Sequence, residues 1–348
     1  MTPSTTDRIA KLGFDQPLVE CVPNISEGRN ELVIRRIAGA ASSVEGIRLL
    51  HIDKGSDAHR TVVTFAGPAS AILEAAWRFA KATFENLDMR NHRGEHRRIG
   101  ALDVFPFVPL EGTTMEQCVS LAEALGERIG VELGVPVYLY EEAARIPERR
   151  ALPQVRGKGY ETLEHRLKSV RWRPDFGPAQ FHSRSGAAIV GARKILVAFN
   201  IGLMSSDVAA AQRIAERIRS SGTSGKPGRL AEVRAVGWMM PTYSCAQVST
   251  NILDWQQTGL YDVFEACREE AAGEGIELRG SELIGLLPEA ALLDVAQRLG
   301  VGGSGDDALA AAVQYLGLNA FSPFVLEERL LERAWRRRAP EVTRDLSG

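Results

Sequence analysis

The sequence predicts an α+β chain of two similar lobes, and three observations carry that prediction. The chain has 348 residues, 45% of them hydrophobic, which is enough for about two domains with cores of their own. Its apolar positions switch repeatedly between strand-like alternation and helix-like spacing. The element order β-α-β-β-α-β can be read twice, from Leu18 and again after Arg193, with little residue identity between the halves.

In the first half, LVECVP (18–23) reads as a strand, NISEGRN as a loop and ELVIRRIAGAASS (31–43) as a helix. IRLLHID (47–53) and RTVVTFAG (60–67) are aliphatic, β-branched strands on either side of KGSDAH. Pro68 opens a helix, a position that proline favours. Ile72, Ala76, Phe79, Ala80 and Leu87 then follow at helical spacing. ALDVFPFVPL (101–110) is a strand whose two prolines suggest an edge position or an early end. Thr114 and Gln117 form a capping box, ahead of a stripe of Cys118, Leu121, Leu125 and Ile129. VPVYLY (135–140) is a further strand. Residues 141–182 carry arginines, prolines and few periodic apolar positions, and read as an irregular excursion.

In the second half, KILVAFNI is a strand and SSDVAAAQRIAERIRSSG a helix. AEVRAVGWMM and CAQVSTNILDW are strands, GLYDVFEACREEAAGEG a helix, and IELRGSELIGLLP ends in a strand. Each half is thus a ferredoxin-like, split βαβ unit. The expected boundaries are an N-terminal extension at 1–16, an N-terminal subdomain at 17–194 and a C-terminal subdomain at 195–340. A ligand groove is expected between the lobes, bordered by the link at 171–194.

Several function classes are disfavoured. A formal net charge of −2 argues against nucleic acid as the main partner. No apolar run reaches the ~18 residues of a membrane span, and the N-terminus lacks the apolar core of a signal peptide. Cys21, Cys118, Cys245 and Cys267 are scattered, as free thiols in a reducing cytoplasm would be. GVGGSG lies between helices, not in a strand-to-helix turn, so it is no phosphate loop.

NHRGEHRRIGALD (91–103) is the informative stretch, holding two of the six histidines among arginines. Metal binding would use His92 and His96, but Gly94 weakens a shared helix and no third ligand stands at a recognisable spacing. A solvated basic loop is the plainer alternative. The third is proton transfer beside anion recognition: histidine titrates near neutrality, and arginines hold carboxylates while keeping a nearby imidazole neutral.

LVECVPNISEGRN, DAHRTVVTFAG, NHRGEHRRIGALDVFPFVPL, GVPVYLYEEAA, RWRPDFGPAQF, SGAAIVGARKILVAFNI, GWMM with CAQVSTNILDW, and GSELIGLLP occur in order. Together they resemble the formiminotransferase family from about Leu18 to about Trp335. The resemblance implies transfer of a formimino group from N-formimino-L-glutamate to N5 of tetrahydrofolate in histidine degradation. It also implies two ferredoxin-like lobes, a homodimer, a separate cyclodeaminase, tetrahydrofolate as co-substrate and no metal. The histidine of GEH, His96, corresponds to the family's base, and Asp53 to an aspartate that faces the cleft, pairing with His96 or the cationic formimino carbon. Arg60, His92, Arg98 and Asn24 are candidate substrate contacts, His92 alternatively shaping the loop, with His59, Arg93 and Asn200 weaker ones. Gly177, Pro178, Phe181, Arg184 and Gly186 fall where the family binds folate, although Arg184 stands near a place where an aromatic is common. The rival activities are a folate-dependent glutamate formyltransferase, a metal-dependent formiminoglutamate hydrolase and a non-catalytic folate-binding module.

Overall fold

A computed structural model of the chain describes residues 17–337 apart from Glu95, Ser224 and Ser304, so the expected extension at 1–16 lies outside the described residues. The chain divides into two compact units, one running to Arg193 and rejoined at Trp335, the other from Lys194 to Ala334. Both mix sheet with helix.

The first unit begins with β1 (Leu18–Cys21) and β2 (Asn24–Ile25), two pieces of one line broken at Val22–Pro23. Asn30 caps α1 (Glu31–Ser42) by accepting from the Val33 amide, and Ile34, Ile37, Ala38 and Ala41 form its buried face. β3 (Arg48–Gly55) and β4 (Arg60–Pro68) pair as a hairpin that sets Asp53 opposite Val62 and Gly55 opposite Arg60. α2 (Ala69–Asn86), β5 (Leu102–Pro109), α3 (Met115–Glu132) and β6 (Val137–Glu141) follow, and α3 carries the expected Thr114–Gln117 capping box.

Three sequence expectations are corrected here. β5 is central, not at an edge: it pairs with β1 and β2 on one side and with β7 (Ala188–Ala192) on the other. Pro106 is tolerated because it faces the break between β1 and β2, where the antiparallel ladder is already interrupted. β7 itself was hidden in SGAAIVGAR, read as part of a link. Its small residues are required because Gly191 lies under Tyr140, where a Cβ would sit 2.4 Å from Cδ1 of that ring. The stretch 141–182 is not shapeless. It contains α4 (Leu152–Arg156) and α5 (Leu163–Leu167), which bring Val155, Leu163 and Leu167 onto Val104, Tyr138, Tyr140 and Ile189 on one sheet face. On the other face, α1, α2 and α3 cover a larger core in which Phe65, Phe79, Phe105 and Phe107 touch ring to ring.

The second unit comprises β8 (Val197–Leu203), α6 (Val208–Ile218), β9 (Val233–Met240), β10 (Cys245–Ile252), α7 (Leu260–Gly273) and β11 (Leu278–Ile284), then α8 (Glu289–Arg298) and α9 (Asp306–Leu316). Its sheet has the order β11-β8-β10-β9, antiparallel throughout. Counted within each β-α-β-β-α-β run, this is fourth, first, third, second. The first unit has the same order in β5, the β1/β2 line, β4 and β3, and adds β7 and β6 beyond β5. Among the described residues no helix is long and apolar enough to cross a membrane.

Gly191→Ala should lower stability by about 1–3 kcal/mol through overpacking against Tyr140. The check is the urea midpoint, with the denaturant slope unchanged.

Candidate active site

The loop between α2 and β5 is held against the β3–β4 turn. Asp88 accepts from the Arg90 amide (3.0 Å) and starts a short turn over Met89–Asn91. Gly94 then presses on the hairpin, where a Cβ would lie 2.5 Å from the Ala58 carbonyl oxygen and 2.7 Å from His59 Cβ. His59 has a positive φ of 48°, and its ring stacks on His92 with centroids 4.3 Å apart.

Both nitrogens of His92 are committed. Nε2 donates to the His59 carbonyl oxygen (2.9 Å), and Nδ1 accepts from Arg98 Nε (2.9 Å). That tautomer is neutral. Burial pushes its pKa down to about 4, with the His59 and Arg98 charges adding to the effect and the His59 carbonyl opposing it. His92 is therefore held within the loop through both of its ring nitrogens. Arg98 is engaged in the same way. It donates to His92 Nδ1 and to the His92 carbonyl oxygen, and it pairs with Glu161 (2.7 Å). Its donors tie the loop to the excursion.

His96 has a different environment. Its Nε2 accepts from Arg60 Nη1 at 2.6 Å, and its buried Nδ1 has no partner among the described residues. Burial holds its pKa well below the usual imidazole range, and the guanidinium groups of Arg60 and Arg156 push it further down. Arg60, the first residue of β4, is itself drawn to about 10 by burial and by Arg156, against the pull of Asp103 and Asp53. Among the described residues Arg60 has no ion pair.

Arg156 is fixed by Asp103, a fully buried carboxylate on β5 that it meets at 2.5 Å. Asp103 also accepts from the Ile99 amide (3.0 Å), which pins the end of the histidine loop. Sequence reasoning missed Arg156, Asp103, Glu161 and Tyr160. Only Asp103 had a signal, as a charge inside the apolar run ALDVFPFV.

The remaining candidates divide. Asp53 lies on β3 with its carboxylate 3.6 Å from His51 Nε2, and its charge acts on Arg60. The partner of His96 is Arg60, so the expected Asp53–His96 pairing is corrected. Asn24 donates to the Val22 carbonyl oxygen (3.0 Å) and braces the break between β1 and β2. His59 is occupied by the Arg93 carbonyl oxygen and by Glu27 (3.2 Å). Arg93 donates to the His92 carbonyl oxygen. Asn200 belongs to the second unit, buried on β8.

In the 177–186 segment, both glycines are packing positions. A Cβ on Gly177 would lie 2.4 Å from the Val135 carbonyl oxygen, and one on Gly186 would lie 2.4 Å from the Ile99 carbonyl oxygen. The Gly186 amide is spent on the His182 carbonyl oxygen (2.6 Å), so it is not the ligand-facing amide expected. Arg184 donates to the Glu85 and Leu87 carbonyl oxygens at the end of α2. Pro178 is exposed, and Phe181 is half-buried with its ring 5.3 Å from that of Tyr160. The segment is laced to the histidine loop through Ala101 N to the Ser185 carbonyl oxygen (2.8 Å) and Ala187 N to the Ile99 carbonyl oxygen (3.2 Å).

Residues 18–193 match the model of the formiminotransferase domain's N-terminal subdomain, and residues 198–335 match that of the formiminotransferase domain. The chain belongs to the formiminotransferase family. It is 46% identical to a formimidoyltransferase-cyclodeaminase of Sus scrofa over 90% of this chain and 59% of that protein. It thus spans about three fifths of the length of such relatives. It is 41% identical to a glutamate formimidoyltransferase of Thermoplasma acidophilum, over 91% of this chain and 98% of that one. A protein of the same name from Streptococcus pyogenes serotype M1 is 41% identical over 80% and 92% of the two chains. In this formiminotransferase-family chain, the histidine loop, the hairpin and the excursion all belong to the first unit.

His92 takes up a proton on unfolding below its ordinary pKa of 6.5 but not while folded, down to about 4. Its contribution to stability is therefore full above 6.5 and is lost as the pH falls toward 4. Between about pH 7 and pH 5 the loss should be about 2 kcal/mol, and His92→Asn should flatten that slope in urea unfolding.

Proposed function

We propose that this chain is a glutamate formimidoyltransferase, moving the formimino group of N-formimino-L-glutamate to N5 of tetrahydrofolate. The observation that carries the reading is His96, a half-buried neutral imidazole with an arginine on one nitrogen and, among the described residues, no partner on the other. The transfer needs a group that takes a proton from the attacking nitrogen and returns one to the departing glutamate nitrogen. A single neutral histidine does both in turn. Two relatives matched over nine tenths of their length carry the name of this activity.

Arg60 is the carboxylate clamp in this reading. It is a half-buried cation without an ion pair among the described residues, and it points its guanidinium at the base. A substrate carboxylate that drew Arg60 onto itself would free the lone pair of His96 Nε2 in the same movement. Binding would thereby expose the base only when there is something to react. Asp53, whose field already acts on Arg60, is assigned the counter-charge to the cationic formimino carbon. Tetrahydrofolate supplies the nucleophilic nitrogen. On the first unit, the half-buried face of Phe181 beside Tyr160 suits its flat ring, and that segment is hydrogen-bonded to the end of the His96 loop.

The shared strand order supports reading each unit as ferredoxin-like, with subdomains at about 17–194 and 195–340. The family resemblance extends the reading to a homodimer and to a place in histidine degradation. The hydrolase alternative suits the geometry less well. His92 has no free nitrogen, and a cation at His96 Nε2 would displace a guanidinium 2.6 Å away.

Chelator-treated protein should release glutamate from formiminoglutamate only when tetrahydrofolate is present. His96→Ala should lower kcat by about 10²- to 10⁴-fold. Folate-independent release abolished by chelation would contradict the transferase. Arg60→Met should raise KM for formiminoglutamate. It should also move the acidic limb of the kcat/KM profile to higher pH, since a charge that lowers the His96 pKa is gone.

A further inference from the structure

Asp103 is a fully buried charge in an apolar strand. Its neighbours Leu102, Phe105 and Phe107 serve the helix-covered core, and Val104 serves the core beneath the excursion. The strand register shows how the carboxylate is placed. β2 pairs Ile25 with Leu102 but Asn24 with Val104, so Asp103 is the extra residue of a bulge. A bulge re-aims a side chain. This one turns Asp103 to Arg156, the last residue of α4, which donates from Nη2 to Oδ2 (2.5 Å) and from Nε to Oδ1 (3.2 Å).

The same stretch of β2 pairs with β4, setting Ile25 opposite Thr61. Only β2 separates β4 from β5 there, so the strands that carry Arg60 and Asp103 lie about 10 Å apart. Val63 and Phe65 point into the helix-covered core, which puts Arg60 and Val62 on the other face. Asp53, opposite Val62, shares that face. It is the face that α4 covers through Val155. Arg60, Asp53 and Arg156 therefore gather on one side of one sheet, and His96 joins them through its bond to Arg60.

Only part of the Arg156 fork is committed. Asp103 takes the Nε–Nη2 edge, and among the described residues Nη1 has no hydrogen-bond partner. The side chain is 14% exposed, so the remaining Nη1–Nη2 edge has little access to bulk water. That edge is one that grips a carboxylate with two parallel bonds. Asp103 fixes the guanidinium in one orientation, so little side-chain freedom is lost when a second anion arrives.

We propose that Arg156 is the second arm of the donor clamp, taking the carboxylate of formiminoglutamate that Arg60 does not take. The donor brings two carboxylates and, when protonated, one amidinium. The sheet face offers two guanidinium groups and, in Asp53, one carboxylate, so the charges match group for group. The field of Arg156 already acts on both His96 and Arg60, as it must if the three share one pocket. The proposal rests on the transferase reading and adds to it a residue that selects a dicarboxylate.

Steady-state transfer by the full chain tests it, at about pH 8 so that His96 is neutral in every variant. Formiminoglutamate is compared with N-formimino-4-aminobutyrate and N-formiminoglutamine, each of which lacks one of the two carboxylates. Arg156→Gln leaves Asp103 a hydrogen-bond donor and removes the charge. It should lower kcat/KM for formiminoglutamate by about 10- to 100-fold. For one of the truncated donors the loss should be under about threefold, because the carboxylate that Arg156 holds is already gone. An equal loss with every donor would make Arg156 a structural residue and overturn the proposal, as would no loss with formiminoglutamate. Arg156→Lys keeps a cation on Asp103 without the second edge. It should show the same dependence on the donor, and it carries the test should Arg156→Gln fail to fold. Calorimetric titration with L-glutamate separates this proposal from the reading beneath it. Binding that weakens about tenfold or more in Arg156→Gln supports the second arm even where wild-type transfer fails. Equal binding in both proteins, or none in either, overturns it.

Discussion

The contact between Arg60 and His96 is the constraint on which the rest of the candidate site depends. A guanidinium 2.6 Å from an imidazole nitrogen is tolerable only if the imidazole is neutral and offers its lone pair. That one contact assigns the tautomer, with the proton on Nδ1, and it explains why burial and the arginines act in the same direction on His96. Among the described residues it also leaves two groups without a counterpart: the half-buried Arg60 guanidinium, which has no ion pair, and the buried Nδ1–H of His96, which has no acceptor. Both are needs that a charged, hydrogen-bonding substrate would meet.

The rest of the first unit keeps those two side chains where they are. Arg60 starts a strand that is paired on both sides, so its backbone has little freedom. The His96 loop is held at one end by the stacked His59–His92 pair and at the other by Asp103, which accepts from Ile99. Asp103 also holds Arg156, and Arg98 with Glu161 joins loop to excursion. Residues 141–182 therefore do two things. They cover an apolar sheet face, and they bring a cation close enough to bias the base. A buried ion pair such as Asp103–Arg156 is costly to desolvate and is better understood as fixing geometry than as adding stability.

Much of this was legible in the sequence, and the failures have physical causes. The strands and helices of both β-α-β-β-α-β runs were readable because their apolar periods are strong, and the Thr114–Gln117 box because its chemistry is local. β7 was not, because a strand chosen to be small under Tyr140 does not look like a strand. The position of β5 was misread because Pro106 is excused by a break in its partner line, which is a tertiary fact. His96 and Arg60 could be singled out from composition and resemblance, but their mutual contact could not. Nothing in the spacing of His92 and Arg98 says that they hydrogen-bond each other. Gly177 and Gly186 show the same limit: glycine signals close approach, and here what approaches is the protein's own backbone.

The most direct measurement is the ¹⁵N chemical shifts of the His96 ring in the ligand-free protein, followed through a pH titration. A neutral ring is expected, with Nδ1 protonated and Nε2 bearing the lone pair, unchanged well below pH 6.5, the ordinary imidazole value. A ring that titrates near about 6.5, or one protonated on Nε2, would contradict it, because Arg60 could then not be the group that holds the base.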